Sequence, residues 1–339
     1  MSGTAAEASS IPTSLEHHVS TNFLLSVYAI VPVTLVVVFL DVVVMQRWLI
    51  KQLPAWPESF LLFALFFEMP HILASTILLA DGEYVRHYGK TVLAGGVILL
   101  CVVVFGTLIF GEYVMFMGAV FYTMYHVIGQ QCGVAKMLLG PTGRVFTVWK
   151  VLGIACATIM FTSTMLAEMR SQITAKLGYD LLEILDLGAR VSAAVVVSLG
   201  AILIARTDRP VAKRYVLAHT MLLMACLCCE VMQYSFFVLL MPRVVHDLTA
   251  FAFYIAHDRN RNEKQRVNVF QKLGAWLGLP VYVVTPLFAM ILAAPVSYNV
   301  HQDPPRLHWI YLFLSAFHFF TESFTWKGNN PHRKFVRLR

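Results

Sequence analysis

The apolar residues of this chain fall in long uninterrupted blocks, with polar residues gathered between them. A run of about 20 mainly apolar residues is what a helix needs to cross the hydrocarbon core of a bilayer. Ten such windows occur, near 22–45, 58–80, 90–110, 113–139, 146–167, 185–205, 214–240, 243–258, 274–294 and 308–326. Only Pro242 and Arg243 separate the seventh from the eighth, which predicts a tight hairpin or a bent pair there. Strands of a membrane barrel alternate polar and apolar positions, and these blocks do not. The pattern predicts an all-α polytopic transmembrane helical bundle of about ten spans. Residues 22–326 read as one transmembrane domain without an internal repeat. Residues 1–21 are polar, lack a basic leader and read as a disordered tail, and 327–339 as a basic cytoplasmic tail.

Composition sharpens this picture. The chain is 58% hydrophobic and 13% charged, against roughly 25% charged in a soluble domain. A soluble enzyme, a disordered protein, a coiled coil and a disulfide scaffold are excluded. The net charge of +7 needs no nucleic acid, because Lys and Arg beside spans set topology. With ten spans, 19 of the 26 Lys and Arg residues fall on the side shared by both termini. That asymmetry places both termini in the cytoplasm. The six cysteines lie in or beside apolar blocks, form no CxxC pair and read as small buried hydrophobes.

Ionisable side chains inside a span are costly, and each needs a reason. Five of the 12 histidines fall in the apolar blocks away from their starts: His71, His126, His246, His257 and His318. Spans two, four, eight and ten run in one direction. His71, His126 and His318 lie past the middle of theirs, and His257 at the cytoplasmic end of its own. Neutral imidazole is the commonest metal ligand. Four imidazoles at one depth suit iron, zinc or copper. Carboxylates and an amide accompany them one turn away: Glu68 precedes His71, Gln130 follows His126 and Glu322 follows His318. Each such group can ligate directly or hold the second imidazole nitrogen, and two metals sharing the site remain possible. His246 stands 11 residues before His257, about 16 Å along a straight helix, so the two cannot share an ion. With Arg243 and Asp247, His246 reads as a polar cluster toward the far side of the membrane.

At these residues the chain resembles the Brp/Blh family of bacterial membrane β-carotene 15,15′-dioxygenases. The segments that carry the resemblance are Pro70-His71, His126, and the run Pro242, Ala250-Phe251, Tyr254 and His257. They are short and cover little of the chain. The resemblance implies a multi-pass protein of a bacterial inner (plasma) membrane, holding iron(II) on four histidines and cleaving a carotenoid with O₂. Two departures stand out. The first motif continues Ile72-Leu73-Ala74-Ser75 where the family has glycine and an acidic residue. Arg261 occupies the place of a second late histidine, and His318 is the candidate replacement. A relative with the same metal scaffold and another lipophilic substrate is the expectation.

Three functions follow from these residues. The first is a non-haem iron oxygenase that takes a lipophilic substrate such as a carotenoid from the membrane, with O₂ as co-substrate. His71, His126, His257 and His318 are its candidate ligands, and Glu68, Gln130 and Glu322 its candidate catalytic groups. The second is a haem protein with two axial histidines. The third is a proton-coupled transporter using buried His, Glu68, Glu230 and Glu322.

Overall fold

The computed structural model describes residues 16–54, 61–302, 304–328 and 330–339. The start of the expected second span, 58–60, and residues 1–15 of the expected disordered tail lie outside the described residues. The described chain is helical, with one isolated β-bridge between Val19 and Leu338. Its helices are α1 (Thr21–Val27), α2 (Ile30–Val43), α3 (Trp48–Gln52), α4 (Leu61–Phe66), α5 (Glu68–Leu78), α6 (Gly82–Phe110), α7 (Glu112–Leu139) and α8 (Arg144–Leu166). They continue with α9 (Arg170–Leu177), α10 (Leu181–Arg206), α11 (Pro210–Val231), α12 (Ser235–Asn262), α13 (Val269–Trp276), α14 (Val281–Gln302) and α15 (Pro304–Thr325). Among the described residues, seven helical stretches are long and apolar enough to cross a membrane.

Local chemistry sets the helix ends. The Ser20, Asp81, Asp180 and Asn268 side chains accept backbone N–H groups at the starts of α1, α6, α10 and α13. Pro210 opens α11, where a missing N–H costs nothing. Gly111, at φ +83°, is the single-residue turn between α6 and α7, a conformation that a Cβ disfavours.

The surface is that of a protein in lipid. Leu93, Leu108, Ile109 and Phe110 on α6 face outward, as do Val33, Phe39 and Val43 on α2. The backbone polar groups are satisfied inside the helices, as hydrocarbon requires. The largest apolar core is shared by α1, α2, α7, α8, α10, α11 and α12. Smaller clusters lie where α5 meets α12 and α14, and where it meets α14 and α15. Helix α12 runs between these regions and packs on α5, α7, α8, α11 and α14.

The break expected at Pro242–Arg243 lies earlier. Helix α11 ends at Val231, Gln233 turns the chain at φ +67°, and α12 begins at Ser235. Pro242 sits within α12, where it removes the bond its N–H would give the Val238 carbonyl. The Cys226 thiol donates to that carbonyl instead, at 3.8 Å, and the helix continues. This register sets the depth of every polar residue on α12.

Candidate metal centre

The chain bends at Phe67, between α4 and α5. Pro70 falls in the first turn of α5, where its lack of an N–H is harmless. His71 follows it, with its backbone N–H on the Phe67 carbonyl at 3.0 Å. Helix α5 thereby presents His71 inward, against α12 and α15.

Four histidines meet there. His71 comes from α5, His126 from α7, His246 from α12 and His318 from α15. One nitrogen of each lies within 4.8 Å of one nitrogen of every other. The rings form a closed square with centroid separations of 4.6 Å (His71–His246), 4.9 Å (His246–His126), 5.0 Å (His126–His318) and 4.5 Å (His318–His71). All four contacts are edge to face. His71, His246 and His318 are buried, and His126 is the least enclosed.

Neighbouring hydroxyls decide which nitrogens face inward. Ser75 Oγ lies 2.8 Å from His318 Nδ1 and gives its own proton to the Ile72 carbonyl. It therefore accepts from His318 Nδ1–H, which leaves the Nε2 lone pair bare. Tyr254 works the same way. Its hydroxyl gives its proton to Glu322 Oε1 at 2.5 Å and lies 3.4 Å from His71 Nδ1. His71 Nε2 is then the unprotonated nitrogen, accepting from His246 Nε2–H at 2.9 Å. Partners of this kind on the outer nitrogen are how proteins aim metal-binding imidazoles.

The donor set fits a metal ion. His246 Nδ1 and His318 Nε2 are buried without a hydrogen-bond partner among the described residues, and His126 Nε2 faces only the Glu322 carboxylate at 3.4 Å. Such nitrogens in a dry interior are expensive unless something binds them. Two nitrogens each about 2.1 Å from one ion stand about 3 Å apart when they are neighbours. The His71 Nε2–His246 Nε2 hydrogen bond, 2.9 Å, comes close to that spacing, and an ion there would replace its proton.

Glu322 holds one edge of the square. Its Oε2 is 3.4 Å from His126 Nε2 and 3.5 Å from Gln130 Nε2. Its Oε1 takes the Tyr254 hydroxyl and, at 3.0 Å, the Trp326 indole N–H. Gln130 thus meets Glu322 across the helices, not its own-helix neighbour His126. Glu68 turns away from His71. It accepts from the Tyr311 hydroxyl and lies 3.3 Å from Arg243 Nη1. Asp247, buried and with Oδ2 unpartnered among the described residues, is electrostatically coupled to Glu68 and Arg243.

His257, expected among the ligands, is not in the square, and His246 stands there instead. The reason is register. Because α12 starts at Ser235, His246 falls near mid-helix and His257 near the end. His257 Nε2 accepts from the Tyr84 hydroxyl at 2.8 Å, and its ring stacks on His332 at 5.1 Å. Sequence reasoning also missed Ser75 and Tyr254. Periodicity carries a signal for Tyr254: it lies eight residues after His246, on the same helix face. Outside the spanning helices, burial and then the charges of His257 and Arg261 hold the His332 imidazole well below its ordinary value.

No family model, no curated protein and no solved structure matches the chain.

Proposed function

We propose that this chain is a membrane non-haem iron oxidoreductase that oxidises a lipophilic substrate with O₂. The observation that carries the reading is the buried square of four imidazoles from four helices, one nitrogen of each within 4.8 Å of one nitrogen of every other. Zinc and copper also suit imidazole; the O₂ chemistry implied by the Brp/Blh resemblance needs a redox metal, which sets zinc aside, and the resemblance itself points to iron rather than copper. When bound, iron(II) supplies the one-electron chemistry that O₂ lacks toward a closed-shell lipid. Haem is disfavoured, since rings in contact at 4.5–5.0 Å leave no room for a macrocycle between them.

The protein side of the chemistry is positioning. Ser75 and Tyr254 fix His318 and His71 in the ligating tautomer. Glu322, ringed by Tyr254, Trp326, Gln130 and His126, is the group placed to hold or move a proton beside the square. Entry is lateral in this reading. His126 is the most open of the four and lies against Phe319, which meets Tyr122. Phe121 and Tyr125 on the same helix face outward. An aromatic wall between lipid and site suits a carotenoid or another long apolar molecule. We take the membrane topology as ten spans with both termini cytoplasmic, in a bacterial inner membrane. The lysine and arginine asymmetry supports that orientation.

The deciding measurement is metal content of detergent-purified protein. Wild type is expected to hold about one iron per chain. His246→Ala and His318→Ala are expected to lose it, and His257→Ala to keep it. A folded, metal-free wild type would overturn the reading. A second reading, a proton-coupled carrier, draws on the buried Glu68–Arg243–Asp247–Tyr311 group beyond the square. Proton uptake by vesicles containing metal-free protein would favour it.

A further inference from the structure

Beyond the square, a chain of aromatic rings leads to the end of the bundle where the two termini meet. The Tyr254 ring stacks on His71 at 5.7 Å and 10°. Trp326 stacks on Tyr254 at 6.1 Å and 23°. His332 meets Trp326 at 5.7 Å and stacks on Tyr84 at 3.7 Å. Tyr88 lies 5.5 Å from His332, and the exposed His87 lies 4.6 Å from Tyr88. Packing alone asks only for apolar rings in offset or edge contact. It does not ask for the most easily oxidised side chains, tyrosine and tryptophan, to lie on both sides of one bridging imidazole, His332, between a candidate redox site and the surface.

One member of the chain has a proton acceptor built in. The Tyr84 hydroxyl donates to His257 Nε2 at 2.8 Å, and both residues are 1% exposed. The opposite nitrogen, His257 Nδ1, lies 3.5 Å from Asp258 Oδ1. Asp258 is fixed in turn by Gln271 at 2.9 Å and by the Thr285 hydroxyl. A phenol loses an electron far more easily when its proton can leave at the same moment. The pair supplies an acceptor, and the carboxylate behind it offsets the imidazolium charge. Tyr88, which like Tyr84 contacts His332 in this chain, has no such acceptor among the described residues.

We propose that Tyr84 is a redox-active tyrosine, with His257 as its proton acceptor, on an electron path between the four-histidine site and the surface. In the step, Tyr84 gives up one electron, which would pass by His332, Trp326 and Tyr254 toward an oxidised iron held by the four histidines, the one-electron oxidant. Its phenolic proton goes to His257 Nε2, leaving a neutral tyrosyl and an imidazolium beside Asp258. A one-electron donor protein at the surface returns the electron, and His257 returns the proton. The electron's destination rests on the oxygenase reading, whereas the tyrosine–histidine pair stands without it.

The test is photo-oxidation of the full-length purified protein, metal-free and iron-loaded, by a photogenerated ruthenium(III) polypyridyl complex. Electron paramagnetic resonance after rapid freezing reads the product. A neutral tyrosyl signal is expected in both forms, forming more slowly in D₂O. Tyr84→Phe and His257→Gln lose it, and Tyr88→Phe keeps it. 3,5-Difluorotyrosine at position 84, which preserves the ring packing, adds fluorine splitting to the signal. Survival of the unaltered signal in Tyr84→Phe, or no fluorine splitting in the substituted protein, overturns the proposal. Metal content measured in parallel keeps the two readings apart. A tyrosyl in a protein that never binds metal upholds this pair and removes the oxygenase.

Discussion

Ser75 shows how much rests on one hydroxyl. It accepts from His318 Nδ1–H only because its own proton is committed to the Ile72 carbonyl. Ser75→Ala leaves that N–H buried and unpaired, and frees the ring to turn. Metal retention is expected to fall about 10–100-fold, the usual cost of losing such a partner, with helical content unchanged. Competition against a graded series of chelators measures it, and an unchanged affinity would remove Ser75 from the site. Little of this was legible in the sequence. His71, His126 and His318 stood out as ionisable groups in apolar blocks. A serine in a membrane helix carries no such flag, because its hydroxyl can always bond its own backbone.

At the scale of elements, helices were legible and their registers less so. Apolar blocks marked where helices run, because lipid tolerates little else. The eighth was misread because proline usually ends a helix, whereas here a thiol from α11 covers the freed carbonyl. Moving the start of α12 from 243 back to 235 exchanges His257 for His246 at the depth of the square. The helices must also approach closely. A Cβ on Gly95 would lie 2.2 Å from the Phe320 ring, two residues beyond His318. Gly95→Leu is therefore expected to push α15 from α6, costing about 1–3 kcal/mol by overpacking. Thermal unfolding followed by circular dichroism should show a lower Tm, with weaker metal retention. An unshifted Tm would mean that α15 adjusts freely.

At the scale of the molecule, the two ends of the described chain hold each other. Val19 N–H donates to the Arg337 carbonyl at 2.8 Å and Arg339 N–H to the Val19 carbonyl at 3.0 Å. Asn260 Nδ2 donates to the carbonyls of His17 and Phe335. His332 anchors this tail, buried among the rings of Tyr84, Tyr88, His257 and Trp326. Its imidazole titrates lower when docked than when free, so the docked tail binds fewer protons. The stability it contributes is full above about pH 6.5 and is lost as the pH falls below that value. Protection factors at 330–339, with the intrinsic pH dependence of amide exchange divided out, are expected to be lower at about pH 5 than at about pH 8, and His332→Phe to flatten the difference. Equal protection in wild type at both values would dismiss His332 as the latch.

The square also imposes an order on biosynthesis. Ser75 and His318 are 243 residues apart in the chain. At a synthesis rate of about 5–20 residues per second, roughly 12 to 50 seconds separate their emergence from the ribosome. Over that interval His71, then His126, then His246 enter the bilayer ahead of the fourth histidine. An ion captured early would be held by an incomplete set. The helix that closes the square is translated after the other three, so selection of the ion waits until α15 has been made.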